Sequence, residues 1–127
     1  MLLGLTLALA TAGYAMGADL SGSDWRPSFL SASDLPARDH MVIRFDANGT
    51  LSGNGGCNVF HGAYNVAGNH IQIGPIASTR KGCPGLIQSE TAFFASLRAA
   101  TSFSQDGDTL TLFDAGGAKL AEFLRSN

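Results

Sequence analysis

Apolar and polar positions alternate with a period of two along several short stretches of the chain. Met41, Ile43 and Phe45 alternate with Val42 and Arg44, which predicts a half-buried strand, because successive side chains of a strand point to opposite faces. Asp46-Ala47-Asn48-Gly49 then marks a turn, and residues 50–53 return as the second arm of a hairpin. Residues 62–66 and 70–73 pair in the same way around Ala67-Gly68-Asn69, with Ile71 and Ile73 alternating with His70 and Gln72. Residues 109–114 and 118–125 flank Ala115-Gly116-Gly117 as a third hairpin. Residues 25–30 predict one more strand, which Pro27 places at a sheet edge or a strand end. Residues 31–40 read as a connecting loop, with room for a short helical turn.

The period changes once. Pro84 suits a first helical position, and Leu86, Phe93, Phe94 and Leu97 then fall on one face at helical spacing. That stripe is the core-facing side of a helix. Glu90 lies on the same face, and a carboxylate turned toward a core needs a partner; Asn58, Arg80 and Lys81 are the candidates. Trp25 and Tyr64 read as core residues with a satisfied polar tip. The expected fold is α+β: a small antiparallel, barrel-like sheet of three hairpins with one helix packed on it.

The start of the chain follows a different pattern. Residues 2–10 are nearly all apolar, no charge occurs before Asp19, and small residues follow at Ala12, Gly13, Ala15, Gly17 and Ala18. This reads as a secretory signal peptide at residues 1–17, too short for a spanning helix. Cleavage is expected before Ala18, with cleavage after Ala15 as the alternative. No Lys or Arg precedes the apolar run, which leaves a start codon further upstream open. Residues 18–24 form a polar lead-in and residues 25–127 one domain. A periplasmic or secreted protein is the expectation.

Composition narrows the function classes. With charged residues at 14%, a net charge of −2 and no basic run longer than Arg80-Lys81, a nucleic-acid partner is disfavoured. Sixteen glycines point to tight turns rather than long helices. Two cysteines in an exported chain are usually paired, so Cys57 and Cys83 are expected to form a disulfide; two separate buried thiols are the alternative.

The segment from Gly53 to Tyr64, Gly-Asn-Gly-Gly-Cys-Asn-Val-Phe-His-Gly-Ala-Tyr, carries the densest signal. Its glycines suit a bulge or sharp bend. A phosphate cradle is disfavoured because no Gly-Lys-Ser/Thr follows. Asn58, His61, Arg80, Lys81 and Glu90 make a candidate ligand-binding or polar cluster. Arg80 and Lys81 read as a solvated basic pair or a bridge to Glu90, with an anion site beside the helix N-terminus as the alternative. Cys57, Cys83, His61 and His70 include metal-ligand residue types, but their spacing is not that of paired zinc knuckles. Cys57, His61 and Glu90 contain the types of a cysteine hydrolase, with nothing to place them together. No cofactor is expected.

The chain resembles the META domain, or HslJ-like, family. The resemblance rests on Gly56-Cys57-Asn58, Phe60, Gly62, Tyr64, Ala77-Ser78-Thr79-Arg80-Lys81, Cys83, Glu90, Phe94, Leu97 and Leu110-Thr111-Leu112. It implies a small barrel-like sheet with a helix, in bacterial envelope proteins linked to heat shock, drug tolerance or secretion, with no established catalytic activity. Many members are lipid-anchored; the cysteine that this requires does not follow the apolar run here, so no stable membrane anchor is expected. The leading expectation is a monomeric, non-enzymatic accessory module that binds a hydrophobic or peptidic ligand or an envelope protein. The open end of the barrel, lined by Phe, Leu and Ile, would be the pocket. The alternatives are a thiol-redox or metal-dependent enzyme using Cys57, Cys83 and His61, and a structural or inhibitory protein acting through its surface.

Overall fold

The computed structural model describes residues 20–127; the signal peptide expected at residues 1–17 lies outside them. Nine strands and one helix follow in the order β1 (Ser23–Leu30), β2 (Met41–Phe45), β3 (Thr50–Gly55), β4 (Val59–Ala67), β5 (His70–Ile73), β6 (Ala77–Ser78), α1 (Ile87–Ala99), β7 (Ser102–Asp106), β8 (Thr109–Phe113) and β9 (Lys119–Arg125). Every pairing is antiparallel. The order β3-β2-β1-β9-β8-β7-β5-β4 closes on itself through β3–β4, so eight strands form a barrel and β6 adds to β4 beside β5. The α+β barrel is therefore present. The pairings β2–β3, β4–β5 and β8–β9 occur within two runs of successive neighbours, β1 to β5 and β7 to β9.

The barrel closes most weakly at β5 and β7, which pair at His70↔Ser102. Two flanking bonds, Ile71 N–H to Thr101 C=O at 3.1 Å and Phe103 N–H to Asn69 C=O at 2.9 Å, reinforce that seam.

Inward positions follow the alternation of the sequence. Met41, Ile43 and Phe45 of β2, Leu51 of β3, Ile71 and Ile73 of β5, Leu110 and Leu112 of β8, and Ala121 and Phe123 of β9 are all buried. The helix packs against β1, β3, β5, β8 and β9, strands that lie around the whole barrel, and so it plugs the barrel rather than lying on one outer face. Phe93 and Leu97 are its fully covered residues. Phe93 meets Phe60 of β4 at 5.8 Å and Phe123 of β9 at 6.3 Å between ring centroids, which joins opposite walls through the helix.

Three local expectations change. Strand β1 is interior, between β2 and β9, although Pro27 pointed to an edge. Pro27 is tolerated because the β1–β2 ladder ends at Trp25↔Ile43 and the register with β9 shifts between Pro27 and Phe29. The polar lead-in overlaps the fold: Leu20 is 1% exposed and β1 begins at Ser23. Pro84 does not open the helix. Cys83 to Leu86 is a turn closed by Leu86 N–H to Cys83 C=O at 3.0 Å. Gly85, at φ +81°, takes the position after Pro84 that demands positive φ. The helix starts two residues later, at Ile87.

Trp25 and Tyr64 satisfy their polar tips, Trp25 Nε1–H to Ser23 Oγ at 2.6 Å and Tyr64 O–H to the Asp46 carbonyl at 2.7 Å. Among the described residues no helix is long and apolar enough to cross a membrane.

Candidate functional site

The glycine-rich segment bends between β3 and β4, where Glu90 and Phe94 of α1 approach Gly55. Gly55 explains the approach of the helix, and Gly53 that of the neighbouring strand. A Cβ on Gly55 would stand 2.9 Å from Glu90 Cγ, Glu90 Oε2 and Phe94 Cζ, and one on Gly53 would stand 1.9 Å from the Val42 carbonyl oxygen. The side-chain-free position at Gly55 is thus the space into which Glu90 is inserted. Gly56, at φ +113°, turns the chain into the corner.

Glu90 is 8% exposed and has no cationic partner among the described residues. Its carboxylate is held by amide donors instead. Oε2 accepts from Cys57 N–H at 3.0 Å and Asn58 N–H at 2.6 Å, and Oε1 accepts from Asn58 Nδ2–H at 2.6 Å. Hydrogen bonds to an ionised acceptor are about twice as strong as neutral ones, and three of them offset the desolvation of a buried carboxylate.

Asn58, 5% exposed, relays this anchor to the next segment. Its Nδ2–H donates to the Lys81 carbonyl at 3.1 Å, while its Oδ1 accepts from Thr79 Oγ1–H at 2.8 Å and Lys81 N–H at 2.7 Å. With two donors and two acceptor sites, the side chain has no capacity left. Cys57 and Cys83, 26 positions apart with Cα atoms 5.9 Å from each other, are joined as a disulfide beside this network. One corner therefore carries a covalent tie and a hydrogen-bonded tie between the β3–β4 bend and the segment leading to α1.

The structure brings Cys57, Asn58, Cys83 and Glu90 together, together with the backbone of Lys81, and separates the rest of the predicted cluster. His61 is exposed on β4, opposite Ser52 and Ala77. It borders an outer hollow of about 350 Å³ with Val59, Ala77, Ser78 and Thr79. Arg80 and Lys81 are exposed, and neither bridges to Glu90. His70, at the β5–β7 seam, is also exposed. Among the described residues no three His, Cys, Asp or Glu side chains are gathered in a metal-binding arrangement. Sequence reasoning missed Thr79. The signal was available: a hydroxyl in a segment already suspected of meeting the helix entrance.

The barrel interior, where an apolar pocket was expected at an open end, is packed with side chains. Phe45, Leu51, Phe93, Leu97, Leu110, Leu112 and Phe123 are each at most 1% exposed. The side chains that would line such a pocket pack against each other and the helix.

The sequence profile of the META domain matches residues 18–127. Among solved structures, an NMR structure of a protein from Burkholderia xenovorans is similar at 22% identity and a TM-score of 0.67, over 85% of this chain and 84% of that one. A crystal structure of a DUF4847-family protein from Bacteroides vulgatus ATCC 8482 shares 16% identity with a TM-score of 0.66, over 83% of this chain and 93% of that one. A further protein solved by NMR shares 20% identity with a TM-score of 0.64, over 83% of this chain and 91% of that one. At these identities the likeness establishes the fold alone. No curated protein matches the chain significantly.

Proposed function

The chain belongs to the META domain family, and from that premise we propose that it is a non-enzymatic module acting outside the cytoplasm, which engages a peptidic or protein partner through its outer surface. The observation that carries this reading is the saturation of the Cys57–Asn58–Glu90 corner. A catalytic or ligand-binding group needs an atom to offer. Here both carboxylate oxygens and every polar site of the Asn58 side chain are bonded within the protein. The sulfurs are bonded to each other, and His61 stands on another face.

The filled barrel favours the peptidic arm over the lipidic one. A lipid chain of ordinary length needs an enclosed apolar cavity of several hundred Å³, and the lumen is occupied by the protein's own Phe and Leu side chains. A peptide or protein needs only an accessible surface, such as the outer hollow at Val59 and His61. The disulfide fits an oxidising compartment, and the accessory role in an envelope under stress rests on the family alone.

The test is native mass spectrometry of protein purified from the envelope of its own organism after mild cross-linking. A mass increment that resolves into a peptide or protein supports the reading. An increment that resolves into a fatty acid or phospholipid overturns it, as does turnover of an ester substrate that is lost in a Cys57→Ser variant.

A further inference from the structure

The segment between Lys81 and Ile87 is anchored on either side by different means. Lys81 is fixed through its backbone, both its N–H and its C=O being bonded to the Asn58 side chain. Ile87 opens α1, which Phe93 and Leu97 bury in the barrel. Residues 82–86 between them are exposed or half-buried. Their turn bond, Leu86 N–H to Cys83 C=O, stays inside the segment, and the Leu86 carbonyl accepts from Ser89 and Glu90 of the helix's own first turn. Their tie to the strands is the Cys57–Cys83 bond. Gly82 and Gly85 flank Cys83, and a Cβ on either would meet nothing within 4 Å.

The two cysteines also differ in exposure. Cys57 is an 8% exposed residue whose N–H is bonded to Glu90, whereas Cys83 is a half-buried residue in an exposed turn. Thiol–disulfide exchange depends on which sulfur the incoming thiolate can reach in line with the S–S bond.

We infer that the Cys57–Cys83 bond is a reversible latch, addressed by a protein dithiol at the Cys83 sulfur, whose opening frees residues 82–86 and leaves the barrel folded. In the first step a thiolate of the dithiol attacks Cys83 Sγ. The Cys57–Cys83 bond breaks, a mixed disulfide forms on Cys83, and Cys57 leaves as a thiolate that takes a proton from water. In the second step the other thiol of the dithiol, deprotonated, attacks its own neighbouring sulfur. The dithiol is released as a disulfide and Cys83 becomes a thiol, so two electrons have passed to the protein. The reverse sequence, with an exported disulfide carrier, closes the latch.

The barrel survives opening because its closure does not use the bond. The core is built from strands and helix, and the Asn58 bonds to Glu90, Thr79 and Lys81 hold the corner without sulfur. What opening changes is a glycine-flanked surface loop, the kind of low-stability segment from which switches are drawn.

The first test is NMR of the ¹⁵N-labelled protein with dithiothreitol as the dithiol and no denaturant. The account expects reduction to proceed and the heteronuclear NOE of the amides in residues 82–86 to fall into the flexible range, while the strand resonances keep their dispersion. Collapse of the whole spectrum, unchanged NOE values in residues 82–86, or resistance of the bond to reduction without denaturant would each overturn it. The second test adds limiting glutathione with iodoacetamide present and maps the products. Glutathione on Cys83 with alkylated Cys57 is expected; the reverse distribution contradicts the assignment of the attacked sulfur.

Discussion

Glu90 and Asn58 engage each other at both ends of the carboxylate: Oε1 accepts from the Asn58 side-chain amide and Oε2 from the Asn58 backbone N–H, each at 2.6 Å. The helix is thereby pinned to the bend between β3 and β4 by the residue that also holds Thr79 and Lys81.

Glu90→Gln keeps the shape and removes the charge. A glutamine has one acceptor oxygen, so its NH₂ must face either the Asn58 amide or the two backbone N–H groups. The variant is expected to lose about 2–3 kcal/mol, the scale of charge-assisted hydrogen bonds replaced by an opposed donor pair. Urea denaturation checks this through the midpoint, with the slope unchanged.

Asn58→Asp has the opposite fault. It places a second carboxylate oxygen 2.6 Å from Glu90 Oε1, where an amide donor stood, and removes the bond to the Lys81 carbonyl. A loss of about 3 kcal/mol or more is expected at neutral pH. Acidification that protonates one of the pair should recover part of it relative to the unmutated protein, a comparison read by thermal denaturation across pH.

Two glycine substitutions should separate by severity. At Gly55 the added methyl meets side-chain atoms of Glu90 and Phe94 at 2.9 Å, and Glu90 yields only by giving up bonds to the bend, so Gly55→Ala is expected to cost about 1–3 kcal/mol. At Gly53 it meets the Val42 carbonyl oxygen at 1.9 Å, part of the β2–β3 ladder. Gly53→Ala must displace backbone and is expected to exceed that range. Comparing the two unfolding midpoints decides the order.

His61→Ala and Arg80→Ala should leave stability within about 0.5 kcal/mol, the usual range for surface substitutions away from special features. A loss of several kcal/mol in either, read by the same denaturation, would mean that these side chains belong to the corner after all.

Much of this architecture is legible in the sequence because it is local. The alternation at Met41, Ile43 and Phe45 and at Ile71 and Ile73 marks the inward faces of β2 and β5, and the helical stripe finds Phe93 and Leu97. The disulfide, expected from the cysteine count and the expected export, is present. What escaped depends on distant partners. Barrel closure rests on β1–β9, which joins Trp25 to Arg125, and on one β5–β7 pair, neither of which has a periodic signature. Pro27 misleads because proline's usual exclusion from interior strands is lifted where the β1–β2 ladder has already ended. Pro84 misleads because Gly85 makes it the second residue of a turn. The sequence narrows the partner of Glu90 to Asn58, Arg80 and Lys81. Charge favours the cations, yet the convergence of three amide donors selects Asn58, a choice that only the bend after Gly55 makes available.

The disulfide closes a separation of 26 residues, for which chain entropy gives about 3.5 kcal/mol of stabilisation. Replacing both cysteines by Ser should lower stability by about that amount while the unfolding transition stays cooperative. A non-cooperative, molten response would show that the bond defines the packing instead of reinforcing it.

The central claim is that the conspicuous Gly-Gly-Cys-Asn segment is an internally bonded corner. A double-mutant cycle between Asn58→Ala and Glu90→Ala, read by equilibrium denaturation, tests it most directly. The account predicts a coupling of at least about 1.5 kcal/mol, as residues sharing a buried network show. Additivity within about 0.5 kcal/mol, with each single variant near the unmutated stability, would contradict it and return Asn58 and Glu90 to the list of groups free to act on a ligand.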